Sequence, residues 1–199
     1  MTKLGIVRHG RTAWNLERRA QGSSDIPLDE FGIAEAEKLA ERLGAEDWDV
    51  IYASPLLRAR QTAEYIAARL GNLPIQFDSR IREVSGGQIE GTTEAERIEK
   101  WGEQWRELDL GMEEANLVIE RGMSFFEEIT SKHPGKNILI VSHGSFIKHC
   151  LKKMVPKLEM EEGLKNTSIS TIVKIESVWN CDVYNCTRHL AEQSQQSTK

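Results

Sequence analysis

"KLGIVRHGRTAWN", residues 3–15, begins with the apolar run Leu4-Gly5-Ile6-Val7 and breaks off in Arg8-His9-Gly10-Arg11. A short unbroken apolar run predicts a buried strand. Two guanidinium groups and an imidazole where that strand turns into a loop need partners or a ligand, because unpaired charge is costly to bury. "ILIVSHGSF", residues 138–146, repeats the layout: an apolar strand, then His-Gly, then a helix-like segment. In an open parallel sheet, ligands bind beyond the carboxyl ends of the strands. Two strands ending alike would place His9 and His143 on one edge. Neighbouring strands lie about 4.8 Å apart, so adjacent placement would bring both imidazoles within reach of one small group.

Further strands are expected at Val50–Ala53, Ile75–Phe77, Thr171–Glu176 and Val183–Thr187, besides Leu4–Arg8 and Ile138–Ser142. Helical spacing of apolar residues marks Asp29–Leu43, with Gly44 as a stop, and Asn116–Ser131 and Phe146–Met154. Ser54-Pro55 predicts the start of a helix ending at Gly71, with Ser as N-cap and Pro at the first helical position. Strands alternating with helices imply an α/β fold with a mostly parallel sheet. Residues 83–120 differ from the rest, with 11 Asp/Glu against 3 Lys/Arg. Trp101 and Trp105, one helical turn apart, predict a solvated acidic helix docked on the core through its indoles.

Composition narrows the function classes. A formal charge of −5 argues against a general nucleic-acid or membrane-surface binder, so any cationic site must be local. No run is long and apolar enough to suggest a membrane span or a signal peptide. The 3 cysteines, Cys150, Cys181 and Cys186, read as free thiols, and the cytoplasm is the expected compartment.

Local cations are abundant at the strand ends. Arg8 closes one strand, and Arg58 lies in the first turn after Ser54-Pro55, just past another. Guanidinium forks suit phosphate oxygens. The glycines after His9 and His143 would let the backbone turn or approach a ligand, and amides at a following helix N-terminus favour an anion. Taken alone, His9 reads as a structural histidine and Arg58 as a surface ion-pair residue. The joint pattern at three strand ends describes a phosphate pocket instead. There is no nucleophile-elbow serine, no Walker A sequence, and no pair of histidines at zinc-ligand spacing, since His143 and His149 are 6 apart.

"RHGRTAWN" (8–15), "SPLLRARQTA" (54–63), "REVSGGQIEG" (82–91) and "VSHG" (141–144) resemble, in order, the signature segments of the histidine phosphatase superfamily, which holds cofactor-dependent phosphoglycerate mutases and broad-specificity phosphatases. The resemblance implies a three-layer α/β/α sandwich with a mostly parallel central sheet. The chain is expected to form one domain over 1–190, with the acidic stretch 84–115 as a lid insertion and the polar end 191–199 as a disordered tail. The resemblance further implies that His9 takes the phosphoryl group and that Arg8, Arg58 and His143, with Gly144, bind its oxygens. Asn15 would hydrogen-bond the phosphate, and Gln21 and Gly22 would line the substrate side. Glu83 would protonate the leaving oxygen and then activate water. No metal and no cofactor are expected, beyond a bisphosphoglycerate primer if the chain is a mutase.

Hydrolysis is the leading reading, on a small-molecule phosphate monoester, with no nucleic-acid or membrane partner and a monomer or dimer left open. The mutases carry a longer insertion, whereas only 60 positions separate Glu83 from His143 here. A mutase using the same phosphohistidine and a non-catalytic phosphate-ester binding module are the alternatives. Three departures from the family pattern, Arg11, Ile89 and Met112-Glu113-Glu114, fall around the expected substrate entrance. Arg11 is expected to form a salt bridge on a turn rather than an anion contact.

Overall fold

Alternate residues of the central strands feed two different cores. The elements, in a computed structural model that describes residues 1–176 and 178–191, are β1 (Thr2–Arg8), α1 (Ala13–Leu16), α2 (Glu30–Leu43), β2 (Val50–Ala53), α3 (Leu57–Arg69), β3 (Ile75–Phe77), α4 (Glu94–Trp101), α5 (Ala115–Lys132), β4 (Asn137–Ser142), α6 (Gly144–Met154), β5 (Ile169–Ile175), β6 (Val178–Cys186) and α7 (Arg188–Ala191). Leu4 and Ile6 of β1 and Ile138 and Ile140 of β4 pack with Phe125, Phe126 and Ile129 of α5 and Phe146, Ile147 and Leu151 of α6. Val7, Leu139 and Val141 face the other way, onto Leu39 and Leu43 of α2 and Ala59, Ala63 and Ile66 of α3. The period of two along a strand thus builds three layers, helices over both faces of one sheet.

The six strands run in the order β3-β2-β4-β1-β5-β6. β3, β2, β4 and β1 are mutually parallel, while β5 is antiparallel to both β1 and β6. All six expected strands form. β5 begins at Ile169 rather than Thr171, and β6 at Val178 rather than Val183. β6 is an edge strand with no fully buried residue, so its mixed sequence "VWNCDVYNC" carries no apolar alternation.

Three expectations need correction. α3 begins at Leu57 with Leu56 as an extended N-cap, not at Ser54-Pro55, because the Ser54 hydroxyl is engaged by His143 instead. Trp101 and Trp105 do not share a helix: Gly102, with φ of 84°, ends α4, and Trp105 lies in the 3₁₀ turn Trp105–Glu107. Their indoles still join one small cluster with Ile89, Leu110 and Ala20, which fastens residues 84–115 over the strand ends. The tail is shortened by α7, which takes in Ala191, while 192–199 lie outside the described residues. All three cysteines are free thiols, and among the described residues no helix is long and apolar enough to cross a membrane.

Gly5 of the opening stretch is a packing requirement. A Cβ there would lie 2.4 Å from the Trp48 ring and 3.0 Å from Leu139. Gly5→Ala is therefore expected to destabilise by about 1–3 kcal/mol through overpacking, read as a lowered urea midpoint with unchanged slope. An unchanged midpoint would show that Trp48 moves aside freely.

Candidate active site

Pairing register brings three strand ends to one place. Arg8 pairs with Ser142, and Val141 pairs with Val7 on one side and Ala53 on the other. The His9 amide donates to the Ser142 carbonyl (3.0 Å) and the Ser54 amide to the Val141 carbonyl (2.9 Å). The imidazoles of His9 and His143 consequently lie with ring centroids 5.2 Å apart, tilted by 56°. The two His-Gly turns are neighbours, as their matching layout predicts.

His9 is held as a neutral ring with one defined tautomer. Its Nδ1 lies 2.7 Å from the Gly10 carbonyl oxygen. A carbonyl can only accept, so Nδ1 carries the proton and Nε2 keeps a free lone pair. Burial, followed by the charges of Arg58 and Arg8, pushes the His9 pKa well below its usual value, against the opposing Gly10 hydrogen bond. His143 is lowered likewise, chiefly by burial and then by Arg58. Both rings therefore stay neutral in the fold while they protonate in the unfolded chain near pH 6.5, so the unfolded state binds more protons below that pH. Stability should fall on acidification, as the pH drops through the unfolded histidine range near 6.5. Urea midpoints across that range check this; stability that is flat or rising towards acid would contradict it.

The arginines are held by carbonyls rather than carboxylates. Arg58 is the largest fully buried side chain, at 0% exposure. Its Nη1 donates to the Ser24 carbonyl (2.7 Å) and its Nη2 to the Gly22 carbonyl (2.8 Å). Arg8, half-buried, donates from Nη1 to the Leu164 carbonyl. Burial lowers both pKa values, that of Arg58 to about 10, so each charge remains but is poorly compensated. His143 Nε2 lies 2.7 Å from Ser54 Oγ, which itself accepts from the Leu56 amide. In the tautomer where Ser54 donates to Nε2, Nδ1 of His143 carries the ring proton. Among the described residues, seven buried side-chain N or O atoms have no hydrogen-bond partner, and three of them are Arg8 Nε, Arg58 Nε and His143 Nδ1. Two orphaned guanidinium N–H groups and an unpartnered ring nitrogen beside one neutral imidazole make a site for a small anion rich in acceptor oxygens.

Asn15, Gln21 and Gly22 complete the wall. Asn15 Oδ1 accepts from the Thr12 amide (3.1 Å) and from Asn166 Nδ2 (3.3 Å), which commits its oxygen and leaves its amide N–H groups for the cavity. The Thr12 hydroxyl lies 3.0 Å from Gln21 Oε1. Gly22 has φ of 50°, and a Cβ there would lie 2.1 Å from Glu90 Oε1. Glu90 accepts from the Ser23 amide, the Ser24 hydroxyl and the Gly86 amide, so it ties the loop that holds Arg58 to residues 84–115.

The group that meets the N-terminus of α6 is a carboxyl of the protein itself. Glu83 accepts from the amides of Ser145 (3.2 Å), Phe146 (2.9 Å) and Val84 (2.9 Å). This corrects the expectation that the α6 amides meet a ligand. Gly144 also does not line the cavity; a Cβ there would lie 3.3 Å from Arg8 Nε, so its role is to leave room for that guanidinium. Nor is Gly10 needed for a turn: a Cβ would lie 2.6 Å from the Gly32 carbonyl oxygen.

A cavity of about 440 Å³ opens over these groups, walled by Arg8, His9, Asn15, Gln21, Gly22, Arg58 and Glu83. His143 is fully buried beside His9. The sequence reading missed Arg19, Ser145 and His149, which also line the cavity, and Asn166, whose Nδ2 donates to the His9 carbonyl (3.0 Å). Arg19 lies in the loop after α1 and His149 on α6, each amid other polar residues, where nothing in local sequence singles it out. Ile89, Met112 and Glu113 do lie at the cavity mouth, as expected. Arg11 does not line it: it pairs with Asp29 at 2.8 Å and stacks on Phe31, the salt bridge the sequence suggested.

Comparison with known proteins places the chain in a family. Residues 4–187 match the Histidine phosphatase superfamily (branch 1). The chain is 34% identical over 194 residues to the uncharacterized phosphatase PhoE of Bacillus subtilis, covering 96% of this chain and 98% of that one. It is 32% identical over 201 residues to the phosphoglycerate mutase-like protein 4 of Arabidopsis thaliana, covering 96% and 87%. The solved structure of Bacillus stearothermophilus YhfR superposes with a TM-score of 0.85 at 30% identity, over 96% of this chain and 100% of that one. Phosphatases recur among the other relatives and solved structures, beside mutases. Four motifs in order, the matching fold and a cationic cradle around a neutral histidine converge on one conclusion: the chain belongs to branch 1 of the histidine phosphatase superfamily.

Proposed function

We propose that the chain hydrolyses small phosphate monoesters through a phosphohistidine on His9, without a metal ion or organic cofactor, in the cytoplasm. The observation that carries this reading is the His9 ring: neutral, with Nδ1 on the Gly10 carbonyl and Nε2 free, amid Arg8, Arg58 and His143.

The Nε2 lone pair attacks phosphorus as the ester P–O bond breaks, and the carboxyl of Glu83 gives its proton to the departing oxygen. Arg8, Arg58, the Nδ1–H of His143 and the amide of Asn15 hold the phosphoryl oxygens. They stabilise the in-line transition state by position and charge. Water then attacks the phosphohistidine, Glu83 takes the water proton, the P–N bond breaks, and His9 returns to its resting form.

The mutase reading uses the same intermediate and is favoured by the mutase-like relatives. Against it, the cavity cation beyond the phosphate cradle, Arg19, is already committed to Glu17, Glu96 and the Gly91 carbonyl, and a sugar acid would need a cation for its carboxylate. Phosphate release from an aryl phosphate and from phosphoglycerate, in chelator and with and without a bisphosphoglycerate primer, tests the proposal. Metal-independent release that the primer leaves unchanged is the expected result. Primer-dependent isomer formation outpacing release would establish the mutase. Tight phosphate-ester binding without turnover would leave a binding module.

A further inference from the structure

Arg121 of α5 does not line the cavity, yet three of its five N–H groups reach the segment that carries Glu83 and the other two reach Glu113. Nε donates to Glu113 Oε1 (2.8 Å) and Nη2 to Glu113 Oε2 (3.0 Å), a two-pronged ion pair whose side chains are only 11% and 10% exposed. Nη1 donates to the carbonyls of Arg80 (2.5 Å) and Arg82 (2.9 Å), and Nη2 also reaches the carbonyl of Glu83 itself (3.2 Å). Glu113 in turn accepts from the Ser85 amide (3.1 Å). One guanidinium and its carboxylate therefore grip the backbone on both sides of residue 83. The same guanidinium lies 5.0 Å over the Phe146 ring, and the Phe146 amide is one of the donors on the Glu83 carboxylate.

We propose that Arg121 is the positioning residue that sets Glu83 against the leaving-group oxygen, acting through the Glu83 backbone and through Phe146 without touching substrate. The proposal rests on the acid role given to Glu83 above. The geometry demands arginine: a lysine offers three donors from one point and cannot reproduce a planar fork with five partners. Residues 79–85 otherwise form only a 3₁₀ turn, Ser79–Ile81, and an extended strap, with little regular structure to hold a side chain in place.

The leaving group separates positioning from plain stability. A dinitrophenolate departs without a proton, whereas an alkoxide needs one, so only the second substrate depends on a well-placed acid. The parameter kcat/KM reports the step that forms the phosphohistidine, which is where the acid acts. Wild type, Glu83→Gln and Arg121→Lys are compared on 2,4-dinitrophenyl phosphate and on a simple alkyl phosphate. Glu83→Gln is expected to lose far more on the alkyl ester than on the aryl ester. Arg121→Lys should follow the same pattern, losing on the order of 100-fold on the alkyl ester, the scale of a misplaced catalytic group, and no more than about 3-fold on the aryl ester.

Equal losses on both esters in Arg121→Lys, with Glu83→Gln selective, would overturn the positioning role alone. Equal losses in Glu83→Gln would overturn the acid role and the positioning role with it. If Arg121→Lys does not fold, Glu113→Gln decides. It weakens the same clamp from the other side and must show a smaller but equally ester-selective loss; an unselective loss, or none, overturns the proposal.

Discussion

His9→Ala is expected to abolish phosphate release from aryl phosphates, lowering kcat on the order of a million-fold, the scale seen when a covalent nucleophile is removed. The size follows from the arrangement. In the wild type, Nε2 is the nucleophile, made available by a carbonyl that fixes the tautomer and by burial that keeps the ring unprotonated. Alanine leaves the arginine cradle without an attacking group, and the neighbouring imidazole does not replace it, since Nε2 of His143 is held by Ser54. The fold should tolerate the change, because the His9 backbone is held by Ser142, Thr167 and Asn166 rather than by its ring. Residual turnover within about 100-fold of wild type, well above what removal of a nucleophile allows, would mean that the histidine assists another nucleophile.

Arg58→Met should separate activity from stability. The guanidinium is fully buried and its immediate partners are two carbonyls, so the protein carries a charge it could fold without. Losing it strands the Gly22 and Ser24 carbonyls, at roughly 1–3 kcal/mol each. It also relieves the penalty of a poorly compensated buried charge, several kcal/mol in the opposite direction. The two nearly cancel, so the thermal midpoint should move little or rise. Activity should fall on the order of 1,000-fold, because a fixed cation facing the transferring phosphoryl group is lost. A residue kept for structure would show the reverse, a large loss of stability with activity largely retained.

Much of this site could be read from residues adjacent in sequence. His9 and His143 were legible because each ends an apolar run, and parallel pairing of Arg8 with Ser142 turned that likeness into a 5.2 Å approach. The unbroken apolar runs of β1 and β4 foretold strands covered on both faces, and their apolar side chains divide between the two cores. What escaped the sequence was held together across space. Arg121 and Glu113 lie on an unremarkable helix and an acidic loop, and only the fold shows that they grip residues 80–85. Ser54 looked like a helix cap because serine often is one, but a buried imidazole was the stronger claimant. The amides of α6 promised an anion site, and a carboxylate 62 residues earlier fills it. Trp101 and Trp105 had helical spacing, yet the positive φ of Gly102 broke the helix between them.

The central claim is a covalent phosphohistidine on His9, and trapping it is the most direct test. The enzyme is mixed with an aryl phosphate, quenched in alkali, where an N-linked phosphoryl group survives, and analysed as peptides by mass spectrometry. The account predicts one added phosphoryl group, located on His9, lost on mild acid treatment, and formed and consumed at least as fast as steady-state turnover. Phosphate release at full rate with no such adduct, or with the phosphoryl group on another residue, would contradict it.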